Sequence, residues 1–116
     1  MNIVVLRGAL SSDPVDRPLA SGSTIWNLEV STRTPDGTFS VPVAWLDPPH
    51  PPRVAAGDDV VVVGQVRRRF FRAGGITQSR TEVVATAVVP AKRTAEVRKA
   101  IARARNALAD DAVVAA

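Results

Sequence analysis

Up to Pro90, the apolar residues either alternate with polar ones or form short runs, as they do in β-strands. Val60 to Val63 are four β-branched residues in succession, which is typical of a strand buried against a core. Gly64 ends this run, and a glycine inside a strand often marks a bulge or a sharp bend. Further strands are predicted over residues 2–10, 15–19, 24–33, 39–46 and 76–89, and the second of these is short.

After Pro90 the apolar residues follow a helical period, which predicts a helix from Thr94 to about Asp111. Its apolar positions form one narrow stripe: Val97, Ile101, Ala104 and Leu108. A helix this short is only marginally stable alone in water, so the stripe should dock on its own barrel or on a second copy of the chain. We expect docking within a homo-oligomer, because the stripe resembles the seam of a coiled coil.

Five long strands, with Gly8 and Gly64 as corner residues, predict an all-β fold in the form of a small closed barrel. The leading candidate is the five-stranded oligonucleotide-binding (OB-fold) barrel with a C-terminal α-helix. A β-sandwich is the alternative, although it usually has more strands. With 116 residues the chain has room for one core, so we expect a barrel domain over 1–90 and a helix with a short tail over 91–116.

Beyond Gly64 the central strand becomes basic and aromatic. Alternation places Arg67, Arg69 and Phe71 on one face, and Arg68 and Phe70 on the other. A turn at 73–75 then returns the chain as the next strand. Guanidinium groups beside aromatic rings suit single-stranded nucleic acid, since cations contact the phosphates and rings stack on unpaired bases. A solvated basic hairpin with one core phenylalanine is the alternative interpretation.

Composition narrows the function further. Fifteen basic residues against eleven acidic ones give a net charge of +4, which favours an anionic partner. The absence of cysteine excludes thiolate catalysis and cysteine-based zinc sites, and His50 is the only histidine. We find no nucleophile or phosphate-loop motif, and therefore expect neither an enzyme nor a cofactor or metal. No signal peptide or membrane-spanning run is visible, so we expect a cytoplasmic protein without membrane contact.

Several short motifs, in order and at matching spacing, resemble bacterial single-stranded DNA-binding proteins over residues 1–90. They are the opening 1–10, Asp13-Pro14, Arg17, Ser21-Gly22, Trp26-Asn27-Leu28, Gly57, Val60, Val62, Gly64-Gln65-Val66-Arg67, Arg69, Phe71, Gly75 and Glu82-Val83-Val84-Ala85. The resemblance implies an OB-fold that coats single-stranded DNA without strong sequence preference in replication, recombination or repair. It also implies a homo-oligomer, usually a tetramer.

The resemblance places the stacking aromatics of that family on Phe39, Trp45 and Phe71, and its basic contacts on Arg67 and Arg69. We add three further arginines as candidate phosphate contacts: Arg33, Arg72 and Arg80. The alternative for Phe39 and Trp45 is a place in the barrel core. Trp26 shares its strand face with Leu28 and Val30, so we expect it in the core.

Two departures from the family leave other functions open. Val41 and Val43 lie between Phe39 and Trp45 on the same face, where relatives often carry polar or basic residues. The chain also ends without the acidic, aromatic tip through which relatives recruit other proteins, which makes such recruitment doubtful. An RNA-binding barrel and an assembly module with a weakened nucleic-acid face therefore remain as alternatives, and the chain can be a short paralogue or a phage or plasmid form.

Overall fold

The computed structural model describes residues 1–115, and the side chains of residues 1–110. Seven elements follow one another along the chain: β1 (Val4–Leu10), β2 (Val15–Pro18), β3 (Thr24–Thr34), β4 (Gly37–Leu46), β5 (Asp59–Ala73), β6 (Ile76–Pro90) and α1 (Thr94–Ala115). The predicted strands are therefore all present, including the short one. No helix among the described residues combines the length and apolarity needed to cross a membrane.

Five of the strands form a closed barrel. Neighbouring strands follow the order β1-β5-β6-β4-β3, and β1 pairs with β3 through Ala9↔Ser31 and Leu10↔Val30 to complete the ring. Only the contact of β4 with β6 is parallel, and it comprises two residue pairs. The short β2 pairs with β3 outside the ring. This arrangement confirms the predicted OB-fold barrel with a C-terminal helix, and the sandwich alternative is wrong.

Both predicted corner glycines lie where two strands approach closely. A Cβ atom added at Gly8 would overlap the backbone carbonyl of Ser31, and one added at Gly64 would overlap that of Val84. The β5–β6 register shifts between Val63 and Gly64, which is the predicted bulge. Glycine is required at both points because any side chain would push the neighbouring strand away.

The barrel core consists of aliphatic side chains and one tryptophan that point inward from all five strands. Its buried members are Leu10, Leu28, Val30, Val43, Trp45, Val60, Val62, Val83 and Ala85. Trp26 is half-buried and packs against this cluster, as predicted.

The helix α1 docks on its own barrel. Ala100 and Ala104 are buried against Val63 and Val89, which point outward from the base of β5 and β6. Val97 packs at the edge of this contact. Of the two predicted docking partners, the barrel of the same chain is the one that the structure shows. Leu108, at the end of the predicted stripe, is 48% exposed and lies outside this contact.

Candidate nucleic-acid interface

Beyond the Gly64 bulge, β5 and β6 form a two-stranded arm that extends past the barrel (residues 65–84). Gly74 and Gly75 connect the strands with φ angles of 59° and 76°, values that suit the tight turns of two-residue hairpins. Ala73 pairs with Ile76, and the pairing continues without interruption to Gln65↔Val84. The turn therefore fixes which side chains of the two strands lie opposite one another.

This pairing sorts the side chains of the arm into two faces. One, the Glu82 face, carries Arg67, Arg69, Phe71, Arg80 and Glu82. The other, the Ser79 face, carries Val66, Arg68, Phe70, Arg72 and Ser79. The Ser79 face continues the core side of the sheet, because Val83 of the same alternating set is buried in the barrel. The Glu82 face continues the outer side, which α1 covers nearer the base.

The Glu82 face is organised around one buried carboxylate. Glu82 is only 4% exposed, and its Oε1 accepts a hydrogen bond of 2.9 Å from Nε of Arg69. A terminal nitrogen of Arg67 lies 3.7 Å from the same oxygen. The guanidinium of Arg69 also lies over the ring of Phe71, with Cζ 5.3 Å from the ring centre, within the range of a cation–π contact.

The Ser79 face repeats the arginine–phenylalanine pair without a carboxylate. Arg68 lies over the ring of Phe70 at 5.2 Å and donates a hydrogen bond of 3.2 Å to the hydroxyl of Ser79. Phe70 is 66% exposed, the largest value among the phenylalanines of the arm. Nearer the turn, Arg72 donates to the carbonyl oxygen of Gly75 at 2.8 Å.

A polar contact connects the Glu82 face to the barrel wall. A terminal nitrogen of Arg80 lies 3.5 Å from Glu29 on β3, and the other carboxylate oxygen of Glu29 accepts a hydrogen bond from Ser40 on β4. Three strands therefore contribute charged or polar groups to one outer surface. The arm itself contributes five arginines and one glutamate, so this end of the molecule is strongly basic.

No family model matches this sequence, and no curated protein is significantly similar to it. Evidence about function therefore comes from the fold and from the geometry of the arm.

The structure corrects the prediction for Trp45. Its side chain is 8% exposed and belongs to the barrel core, so its ring does not offer a stacking surface. The accessible edge lines a cavity of about 300 Å³ with Pro49, Pro52 and Val88 at the base of the barrel, away from the arm. Phe39, Val41, Val43 and Trp45 share one side of β4, as predicted, but this side faces the core from Val41 onward, and only Phe39 lies beyond the barrel.

Phe39 lies at that far end. It is on the same side of β4 as Trp45 but is 52% exposed, because it comes before the part of β4 that the barrel encloses. The parallel pair Val43↔Val83 shows that this side continues into the Ser79 face of the arm. Phe39 and Phe71, which we predicted as parts of one site, therefore lie on opposite sides of the sheet.

The end of β4 that follows Trp45 is fixed by Asp47. Its backbone N–H and a side-chain oxygen bond to the carbonyl and N–H of Thr24, at 2.9 and 2.8 Å. The N–H of Thr24, and then the side chain of Ser23, lower the pKa of Asp47, because both contacts favour the ionised carboxylate.

The predicted arginines are only partly brought together. Arg67, Arg69 and Arg80 share the Glu82 face, whereas Arg72 lies on the Ser79 face. Arg33 is separate from the arm and lines a depression with Arg7, Ser31, Thr38 and Asp59. Sequence reasoning did not include Glu82, Arg68 and Phe70 among the candidate site residues, although the structure places all three in the contacts of the arm. The tandem sequence Arg67-Arg68-Arg69-Phe70-Phe71 carried the signal, since alternation gives each face its own arginine and phenylalanine.

Proposed function

We propose that this protein binds single-stranded DNA along the β5–β6 arm, without strong sequence preference, and so protects exposed strands in replication, recombination or repair. The observation that supports this most is the arm itself, where five arginines and two phenylalanines project from an OB-fold barrel beside a single glutamate. Such a combination of cations and rings is suited to a flexible strand, whose phosphates and unstacked bases are both accessible.

Phosphate binding is assigned to the arginines. Arg67, Arg69 and Arg80 keep between 41% and 45% of their side-chain surface exposed although each contacts a carboxylate. Their partners Glu82 and Glu29 neutralise part of the charge but leave guanidinium nitrogens on the surface. Binding of phosphates should release condensed counterions, so the affinity should fall linearly with salt on a double-logarithmic plot.

Base stacking is assigned to Phe71, with Phe70 and Phe39 as further platforms. One side of each arm phenylalanine is already covered by an arginine of its own face. The opposite side of the ring is the stacking surface for a base. Trp45 has no part in this proposal because it is buried.

The test is a comparison of labelled oligo(dT), oligo(U) and duplex DNA by fluorescence anisotropy over a range of salt concentrations. We expect oligo(dT) to bind most tightly, with a log–log slope of about −0.7 for each phosphate contacted. Arg17→Ala, an exposed arginine on β2, serves as the control for loss of one charge away from the arm. Equal affinity for duplex and single strand would contradict the proposal, and tighter binding of oligo(U) would replace it with RNA binding.

We also propose that the chain assembles into a homo-oligomer. Val5 on β1 and Ile76 at the tip of the arm are 50% and 65% exposed, although residues of this type are usually buried. Contact between copies would remove such surface from water. Light scattering of the full chain tests this, and Val5→Arg should lower the mass if β1 lies in the interface. A monomeric mass for the wild-type chain would contradict it.

A further inference from the structure

Glu82 is the only buried charged side chain among residues 1–110, and it lies beneath two arginines of the proposed DNA-binding face. A buried carboxylate is stable only when it is paired and hydrogen-bonded, because ionised groups lose their hydration on burial. The donor at hydrogen-bond distance is Nε of Arg69, at 2.9 Å. Moving Arg69 away would leave the charge of Glu82 with only the longer contact to Arg67.

The side chain of Arg69 is therefore fixed at two points. Glu82 accepts a hydrogen bond from Nε, and Cζ of the guanidinium lies over the ring of Phe71, 5.3 Å from its centre. Because the bond to Glu82 uses Nε, both terminal nitrogens are left for another anion. The planar fork of an arginine held this way loses little further freedom when a phosphate binds.

We propose that Glu82 is a positioning residue for single-stranded DNA: it fixes Arg69, and with it Arg67, so that one phosphate is bound beside a base stacked on Phe71. This inference rests on the proposed function. Glu82 would then favour the binding of DNA, although its negative charge alone should repel the phosphates.

The direction of this effect separates positioning from simple electrostatics. Glu82→Gln and Glu29→Gln each remove one negative charge from the same outer surface. Electrostatics alone predicts tighter DNA binding for both variants. Positioning predicts weaker binding for Glu82→Gln only, because the 3.5 Å contact between Glu29 and Arg80 is exposed on both sides.

The first experiment measures the affinity of the full chain for labelled oligo(dT) by anisotropy. We expect Glu82→Gln to bind about fivefold more weakly, as is typical of coupled neighbouring residues, and Glu29→Gln to bind at least as tightly as wild type. In the Arg69→Ala background, Glu82→Gln should have a smaller effect than in wild type, because only the 3.7 Å contact with Arg67 remains. Arg69→Lys is a second test that does not depend on the folding of Glu82→Gln. It keeps the positive charge but lacks the planar guanidinium, and it should also weaken oligo(dT) binding about fivefold. Wild-type affinity in Glu82→Gln, or in Arg69→Lys, would overturn the inference.

The second experiment needs no DNA. In ¹⁵N-labelled protein, the Nε–H resonance of Arg69 should be protected from exchange with water in wild type and in Glu29→Gln, and unprotected in Glu82→Gln. Protection that persists in Glu82→Gln would overturn the positioning role even where DNA binding is normal. If wild-type protein binds no single-stranded DNA, the proposed function fails, whereas this resonance still decides whether Glu82 fixes Arg69.

Discussion

The two faces of the arm carry the same pair of side chains, an arginine followed two residues later by a phenylalanine, but they differ in what holds the arginine. On the Glu82 face, Arg69 bonds to a carboxylate that is 4% exposed. On the Ser79 face, Arg68 bonds to a neutral hydroxyl at 3.2 Å. Both donors are charged, but only Arg69 has an oppositely charged partner, and that partner is buried where electrostatic attraction is stronger, so we expect the Glu82 face to hold its arginine more firmly.

The comparison shows how one hairpin can offer two kinds of binding surface. An arginine that is firmly held suits a phosphate in one position. An arginine that is weakly held can move with the phosphates of a mobile DNA strand. Stacking requires a ring at a defined angle, and we expect the more firmly placed Arg69 to confine Phe71 more than Arg68 confines Phe70. We therefore expect the Glu82 face to supply most of the affinity, with the Ser79 face as a secondary contact.

The largest difference between the faces should come from truncating the two arginines. Arg69→Ala should lower the free energy of unfolding by about 2 kcal/mol, because it leaves a buried carboxylate without its hydrogen-bond donor. Arg68→Ala should cost less than about 0.5 kcal/mol, as do most surface substitutions. Urea denaturation of both variants measures this. Equal losses would show that Glu82 does not distinguish the faces.

Truncating the two phenylalanines should show how much each face contributes to DNA affinity. Phe71→Ala should weaken oligo(dT) binding by about 2 kcal/mol, within the range for loss of one stacked base. Phe70→Ala should cost about 1 kcal/mol at most, the lower end of the same range. Anisotropy titrations at one salt concentration compare the two variants. A larger loss for Phe70→Ala would reverse the assignment of the main face.

The contribution of Phe39 should depend on the length of the bound oligonucleotide. Phe39 lies on the side of the sheet that continues into the Ser79 face. A single DNA strand must therefore pass around the edge of the sheet to contact both Phe39 and Phe71. Phe39→Ala should therefore weaken binding of long oligo(dT) by up to about 1 kcal/mol and leave short oligonucleotides unaffected. A series of oligonucleotide lengths tests this. An equal effect at every length would place Phe39 next to Phe71 on the DNA path.

The smallest expected effect concerns the salt dependence of DNA affinity, to which the two faces should contribute equally. Arg67→Ala and Arg68→Ala should each reduce the magnitude of the log–log salt slope by about 0.7, because each removes one phosphate contact. The slope counts phosphate contacts and is insensitive to how an arginine is held. An unchanged slope for Arg68→Ala would show that the Ser79 face does not contact the backbone of the DNA.

Much of the fold could be predicted from local chemistry. The β-branched run Val60–Val63, the glycine that ends it and the glycine pair of the turn define the central hairpin without reference to the rest of the chain. The pairing of Glu82 with Arg67 was also within reach of the sequence. A two-residue turn at Gly74–Gly75 sets Ala73 opposite Ile76, and counting back along both strands leads to that pair.

The environment of Trp45 could not be predicted in the same way. Phe39 and Trp45 have the same orientation on one strand, yet one is exposed and the other is in the core. The difference arises because the barrel encloses only part of β4, and where it closes depends on pairing between distant strands. The docking of α1 has the same origin, since its alanines fit against a surface that exists only after β5 and β6 have paired.

Because the turn of the arm is tight, the number of residues between Gly75 and Glu82 determines which face carries the carboxylate. One residue inserted into β6 between Gly75 and Glu82 would move the carboxylate to the other side of the sheet, since strand side chains alternate strictly. Arg69 would lose its anchor, and Arg68 would gain a carboxylate on its own face. A second inserted residue would restore the original side. The one-residue shift would also turn Val83 out of the barrel core, so the length of β6 sets both which arginine has a carboxylate partner and whether the base of the arm fits the barrel.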